Sequence, residues 1–157
     1  MVFPKPVAWA ALCCGLVSSF VVSAQDNALR VGSNTVEIEL GDIARSYVAQ
    51  VPNSYTSAEP TPLLVLLHGT GGSPEEMLEL GHFYKNVELS GYIVVAPKSL
   101  GRAFNDGSGR GGSDVSATDD VAFIEAVVSD VRVRVNIDAE SVYLAGFSSG
   151  ASMAQRL

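Results

Sequence analysis

Within this chain of 157 residues, the grouping best suited to chemistry is Gly146-Phe147-Ser148-Ser149-Gly150. The spacing G-x-S-x-G suits a turn so tight that its flanking positions carry no side chain, which lifts the serine hydroxyl clear of the backbone. Such a hydroxyl can attack an acyl carbon if a base accepts its proton and N–H donors stabilise the resulting oxyanion. One donor would be the backbone N–H of Ser149, at the positive end of the helix that residues 151–157 have the composition to form. The second should come from the loop after a neighbouring strand, where the chain reads His68-Gly69-Thr70-Gly71-Gly72. The N–H of Thr70 is the candidate and that of Gly71 the alternative. His68, Gly69, Gly146 and Gly150 shape this loop and turn.

A base is harder to find. In the hydrolases that use this turn the acid and the histidine follow the serine along the chain. Here nothing after Ser148 is acidic or histidine, and the only histidines, His68 and His82, precede it. His68 belongs to the loop, where it is expected to brace backbone, and His82 falls within a helix. Asp106, Asp119 and Asp120 read as a turn former and helix-start carboxylates. With the catalytic Asp and His missing, the serine hydroxyl stays protonated and poorly nucleophilic. The chain alone is therefore expected to be weak or inactive as a catalyst.

The elements that must position these groups follow from the apolar pattern. Leu63-Leu64-Val65-Leu66-Leu67 is continuously apolar, as in a parallel strand covered on both faces. Ser73-Pro74-Glu75-Glu76 then supplies a serine cap, a proline in the first turn and acidic groups at the positive helix end. This predicts a helix to about Ser90, with Met77, Leu80, Tyr84 and Val87 at helical spacing and Gly91 as its stop. Residues 92–97 read as a second buried strand. Residues 99–114 hold five glycines and no periodicity, which predicts a long surface loop. A second helix begins near Ser116 or Thr118, carries the stripe Val121, Ile124, Val128, Val131 and Val135, and ends at Asn136-Ile137-Asp138. Residues 141–145 form a third buried strand. Upstream, residues 36–40 and 45–51 alternate as an antiparallel pair with one wet face, and residues 52–62 form a loop. The order β-β, then β-α-β-α-β, predicts an open α/β sheet that is mostly parallel.

Composition locates a separate leader. Residues 1–24 contain a single charge, Lys5, together with both cysteines (Cys13, Cys14) and the only tryptophan. A short positive head, the apolar run of residues 7–22 and Val22-Ser23-Ala24 fit an export signal cleaved before Gln25, so the protein is expected to be secreted. The run is shorter than the roughly 20 apolar residues of a membrane anchor. Residues 25–157 behave as one unit. Without Lys5 the chain's 10 basic residues become 9 against 17 acidic ones, which excludes nucleic acid and anionic lipid as natural partners.

Five blocks occur in a specific order: Leu66-Leu67-His68-Gly69-Thr70-Gly71-Gly72, Phe104-Asn105-Asp106-Gly107, Asp119-Asp120-Val121-Ala122-Phe123-Ile124, Val142-Tyr143-Leu144-Ala145-Gly146-Phe147-Ser148-Ser149-Gly150 and Met153-Ala154. Together they resemble the secreted polyhydroxybutyrate depolymerase-like esterases, relatives of feruloyl and acetylxylan esterases in the alpha/beta-hydrolase superfamily. The resemblance implies an alpha/beta-hydrolase fold, with residues 25–157 as the N-terminal part of the domain, truncated after the elbow. It also implies hydrolysis of carboxylic esters, some of them polymeric, through an acyl-enzyme on Ser148, with no metal and no organic cofactor. Two departures fall near the expected cleft: Phe104, where family members often have tryptophan, and Ser149-Gly150-Ala151, where Asn-Gly-Gly is frequent. The same turn serves serine peptidases and lipases, and a fold lacking its base could serve as a binding protein. Ending at this point would leave the last strand with an unpaired edge.

Overall fold

A computed structural model describes residues 27–109 and 118–157. The export signal of residues 1–24 and the helix start at Ser116 lie outside the described residues.

The alternating N-terminal segments form β1 (Gly32–Leu40) and β2 (Ile43–Val51), paired antiparallel from Gly32↔Val51 to Leu40↔Ile43. Gly41 closes the hairpin at φ +61, a conformation that only glycine adopts without strain. Three further strands, β3 (Thr61–Leu67), β4 (Ile93–Pro97) and β5 (Ile137–Gly146), complete a sheet in the order β1-β2-β4-β3-β5. β3 runs parallel to both β4 and β5, whereas β2 meets β4 antiparallel. The wet face expected for the hairpin holds for β1 alone. β2 lies inside the sheet, so Tyr47 to Val51 are buried on both faces.

Helices α1 (Pro74–Leu80) and α2 (Phe83–Ser90) cover one face, packing Leu78 and Val87 against Val48, Leu66, Val94 and Ala96. On the other face α3 (Asp120–Arg134) sets Phe123, Ile124, Val127 and Val131 against Tyr47, Ala49, Val65 and Val95, while α4 (Ser149–Arg156) adds Met153. A layer of helices on each face buries the continuous apolar runs of β3 and β4.

Several boundaries differ from the sequence expectation. The helix predicted to run to Ser90 is broken at Gly81 and His82, where His82 takes φ +51. The ring of Phe83 folds back over Gly81, into space that a Cβ there would fill. The start of α1 is as predicted, with a complete capping box between Ser73 and Glu76. The second helix starts after Asp119, whose carboxylate caps Ala122 N, and ends at Arg134, so residues 137 and 138 already belong to β5. Its buried stripe is Phe123, Ile124, Val127 and Val131, with Val121 and Val128 at the flanks. Thr61 and Pro62 belong to β3 rather than to the preceding loop. β5 is half-covered rather than buried, since it forms the sheet edge with Tyr143 exposed.

One polar cluster ties β2 to α3. Tyr47 is fully buried, and its hydroxyl donates to Asp130 at 2.7 Å, which also accepts from Arg134 Nε at 2.7 Å. Burial, then the bond to Asp130, pushes the Tyr47 phenol far above its ordinary range, and the same carboxylate raises Arg134. At the surface, hydrogen bonds from the Ser141 hydroxyl and Glu140 N hold Asp138 below the usual carboxylate range.

Candidate active site

The turn from β5 into α4 places Ser148 at φ +53 and ψ −119, a conformation that costs a non-glycine residue about 1–3 kcal/mol. The surrounding structure holds it there. Phe147 N donates to Leu67 O at 3.0 Å, Gly150 N to Phe147 O at 2.9 Å and Ala151 N to Ser148 O at 3.0 Å. The two flanking glycines are required by contact with backbone rather than by flexibility. A Cβ on Gly150 would sit 2.6 Å from His68 O, and one on Gly146 would sit 2.6 Å from Ala151 N. The end of β3 therefore acts as the anvil of the turn. Phe147 and Ser148 stand exposed at its crest, at the N-terminus of α4.

The loop after β3 runs alongside. A Cβ on Gly69 would lie 3.3 Å from Ser148 Cβ, so the absence of a side chain lets the two backbones approach. Thr70 Oγ1 donates to Ser149 Oγ at 3.0 Å, bridging loop and turn. The N–H groups of Thr70 and Ser149 have no backbone acceptor among the described residues. Gly71, the alternative donor, takes φ +75 and gives its N–H to Arg102 O at 2.6 Å. An N–H already so engaged is a poor second donor, which leaves Thr70 as the stronger of the two candidates.

His68 is buried with both ring nitrogens committed. Nδ1 lies 2.8 Å from Gly69 O, which can only accept, and Nε2 lies 3.2 Å from Ser99 N, which can only donate. Those partners fix the neutral tautomer protonated at Nδ1, so His68 braces the loop against the segment after β4. His82 is exposed at the break between α1 and α2. Among the described residues no imidazole or carboxylate hydrogen-bonds to Ser148.

A cleft of about 390 Å³ opens over Ser148, lined by Thr70, Ala103, Phe104, Asp106, Ser149 and Ser152. Phe104 packs on the His68 ring with centroids 4.8 Å apart. Asp106 closes a turn by accepting from Ser108 N at 2.9 Å, and Asp119 caps α3, as both were expected to do.

Asp120 does more than the sequence suggested. Its carboxylate is buried, 2.6 Å from Arg45 Nη2, and also accepts from Asn105 N at 2.7 Å and Thr118 Oγ1 at 3.0 Å. The Arg45 guanidinium lies 3.7 Å above the Phe123 ring. This buried pair fastens the Phe104-Asn105 wall of the cleft to β2 and α3. The signal for it was Arg45 itself, a charge in the inward-facing series of Tyr47, Ala49 and Val51. No group of three His, Cys, Asp or Glu side chains is arranged to hold a metal among the described residues.

No protein-family model matches the chain. It is 30% identical over 93 residues to a bifunctional acetylxylan esterase/xylanase of Neocallimastix patriciarum, covering 59% of this chain and 13% of that protein. It is 28% identical over 118 residues to feruloyl esterase C of Emericella nidulans, covering 72% of this chain and 40% of that one. The chain thus spans less than half the length of these relatives. Among solved structures it is similar to an S-formylglutathione hydrolase from Agrobacterium tumefaciens, with a TM-score of 0.60 and 17% identity over 78% of this chain and 50% of that one. It is also similar to a ferulic acid esterase from Anaeromyces mucronatus, with a TM-score of 0.53 and 15% identity over 77% and 50% of the two chains. These likenesses show that the chain has the alpha/beta-hydrolase fold.

Proposed function

We propose that this chain carries the nucleophile and oxyanion donors of a secreted serine esterase. The observation behind this reading is exposed Ser148 at φ +53, with the N–H groups of Thr70 and Ser149 beside it on one cleft. Backbone donors preplaced at the site of developing charge need no rearrangement during reaction, and removing one such donor typically costs about 10²–10³ in kcat.

In this reading Ser148 Oγ attacks the ester carbonyl carbon while its proton passes to a base. The carbonyl oxygen becomes the oxyanion, held by Thr70 N–H and Ser149 N–H at the positive end of α4. Collapse of the intermediate breaks the C–O bond to the alcohol, which leaves with the proton from the base. Water then repeats the sequence on the acyl-Ser148 ester and releases the acid. The reading assigns the base to a histidine oriented by a carboxylate, and His68 is not that base because both its ring nitrogens are occupied.

The relatives favour acetyl or feruloyl esters of polysaccharides as substrates, and the sequence blocks favour polyhydroxybutyrate-type esters as well. Residues 1–24 act as the export signal of residues 25–157, and N-terminal sequencing of the secreted protein should begin at Gln25. The decisive experiment treats the full-length gene product with a fluorophosphonate probe. Labelling should map to Ser148 and vanish in Ser148→Ala. No labelling of the folded protein would sink the reading. A panel of acetyl, feruloyl and short hydroxyalkanoate esters then ranks the substrates.

A further inference from the structure

Asp120 pins the cleft wall at Asn105, but the chain continues beyond that point and turns again through Asp106 and Gly107. This second part of the wall is met by α4, the helix that starts at the nucleophile turn. Positions 149, 152 and 156, spaced by three and four residues, share one face of a helix. All three are turned toward the wall. Ser149 and Ser152 line the Ser148 cleft together with Asp106, and Arg156 Nη1 donates to Asp106 O at 3.2 Å.

Gly107 forms the seat for that side chain. Its φ of +78 is a conformation that glycine adopts at little cost, and a Cβ there would run into Arg156 Nη1 and lie 3.0 Å from Cζ. Gly109 takes nearly the same φ, +74, yet has nothing within 4 Å of a Cβ. Positive φ in this loop therefore does not by itself bring an arginine against the backbone; the approach at Gly107 is specific. Bonds inside the turn, from Gly107 N to Asn105 Oδ1 at 3.1 Å and from Ser108 N to Asp106 Oδ1 at 2.9 Å, shape it without tying it to the helix. The tie is made by a guanidinium, which is always charged and planar, so it can lie against a bare peptide while donating to the carbonyl beside it.

We infer that Arg156 is a positioning residue that straps the Asp106-Gly107 part of the cleft wall to the nucleophile helix and so sets the width across which a substrate is held. The inference rests on the esterase reading and adds to it a residue that acts through the wall rather than on the reacting atoms. Ser148 and the two N–H donors take their geometry from β3 and the turn, so loss of the strap loosens binding and spares the chemistry. KM should rise about fivefold, the net worth of one hydrogen bond, with kcat nearly unchanged.

The test uses the full-length gene product and its Arg156→Ala, Arg156→Lys, Gly107→Ala and Gly107→Ala/Arg156→Ala variants. Arg156 and Gly107 are both exposed, so folding should survive, and thermal unfolding checks that it does. Two quantities are followed: KM and kcat for 4-nitrophenyl acetate, and hydrogen exchange of the backbone amides of residues 103–109. Arg156→Ala should raise KM about fivefold with kcat within about twofold, and Gly107→Ala should do the same because its methyl group displaces the guanidinium. The double variant should fall short of the sum of the two single effects, since the methyl group then finds no side chain to displace. Arg156→Lys keeps a charged donor and should recover most of the loss. Exchange in residues 103–109 should quicken in Arg156→Ala and return toward the parent in Arg156→Lys. An unchanged KM in Arg156→Ala, a loss carried by kcat instead of KM, or full additivity in the double variant would overturn the strap and leave the esterase reading standing. A parent protein that neither reacts with fluorophosphonate nor hydrolyses esters would remove the esterase reading, and exchange unchanged by Arg156→Ala would then overturn the strap as well.

Discussion

Replacing Asp120 by alanine tests the structural logic of the cleft wall. The side chains of Asp120 and Arg45 are 0% and 3% exposed, so the substitution leaves a guanidinium in the interior without its counter-charge. Breaking a buried pair from one side typically costs about 3–5 kcal/mol. Asn105 N–H, which is half-buried, also loses its acceptor, which adds about 1 kcal/mol. The total of about 4–6 kcal/mol is comparable with the whole stability of many domains, about 5–15 kcal/mol. Asp120→Ala should therefore be barely folded at room temperature, whereas Asp120→Asn, which can still accept from Asn105 N, should lose less. The double variant Arg45→Met/Asp120→Leu removes both charges and should be more stable than Asp120→Ala. Urea unfolding of these proteins together with the single variants Arg45→Met and Asp120→Leu, followed by circular dichroism, measures the coupling, expected to reach about 2 kcal/mol for directly paired groups. Because the pair is dry, it should change little between low and high salt. A loss below about 1 kcal/mol in Asp120→Ala, the scale of an exposed ion pair, or simple additivity in the double variant would refute the claim that this pair fastens the wall.

Other outcomes follow from the same geometry. Gly150→Ala puts a methyl group against backbone carbonyls of β3 and His68, so it should destabilise by at least the roughly 1–3 kcal/mol of ordinary overpacking and slow fluorophosphonate labelling about 100-fold by widening the gap between Thr70 and Ser149. Unimpaired labelling would show that the turn tolerates a side chain there. Tyr47 has its folded pKa raised above the ordinary 10.0, so its contribution is complete below pH 10.0 and is lost as pH rises toward the folded value. Between pH 10 and 12 the parent should lose about 1.4 kcal/mol per pH unit more than Tyr47→Phe, and parallel alkaline unfolding curves would contradict this. Asp138 is the reverse case. Its lowered pKa adds stability above the ordinary 3.8 that fades as pH falls through the folded value, so the advantage over Asp138→Asn should shrink on acidification. An advantage that grew would be inconsistent with the Ser141 hydrogen bond.

What the sequence disclosed and what it withheld divide along a physical line. The turn at Ser148, the loop at Thr70, the strands β3 and β4 and the start of α1 rest on local features: glycines where backbones touch, an unbroken apolar run, a capping box. These were legible because each depends on residues adjacent in the chain. The break between α1 and α2 was not. Gly81 reads as a tolerated helical glycine until Phe83 is seen lying over it. Asp120 was concealed by its neighbour, since Asp119 caps the helix in the ordinary way and a second carboxylate beside it looks like more of the same. Its partner Arg45 lies 75 positions away in sequence, and the Asn105 backbone it holds lies 15 away. Only the inward period of β2 hinted that a charge was going into the core.

That long-range pair bears on how the proposed site is kept in register. Ser148 is held by β3 through Leu67 O, and the loop carrying Thr70 leaves from the same strand, so these groups share one rigid support. The Phe104 wall touches that support through the His68 ring and through Gly71 N–H, which donates to Arg102 O. It is fastened from the opposite direction by Asp120 on α3 and Arg45 on β2. The distance from Ser148 to that wall thus depends also on the relative position of β3 and α3, whose Val65 and Phe123 belong to the same core cluster. Loosening Asp120 should alter how a substrate is held against the Phe104 wall before it alters the Ser148 turn itself. In Asp120→Asn the KM for esters should accordingly rise while the rate constant for fluorophosphonate labelling at saturation stays near that of the parent, a split that separates positioning by the wall from chemistry at the turn. Equal losses in both would instead mean that the two halves of the cleft are held by one network.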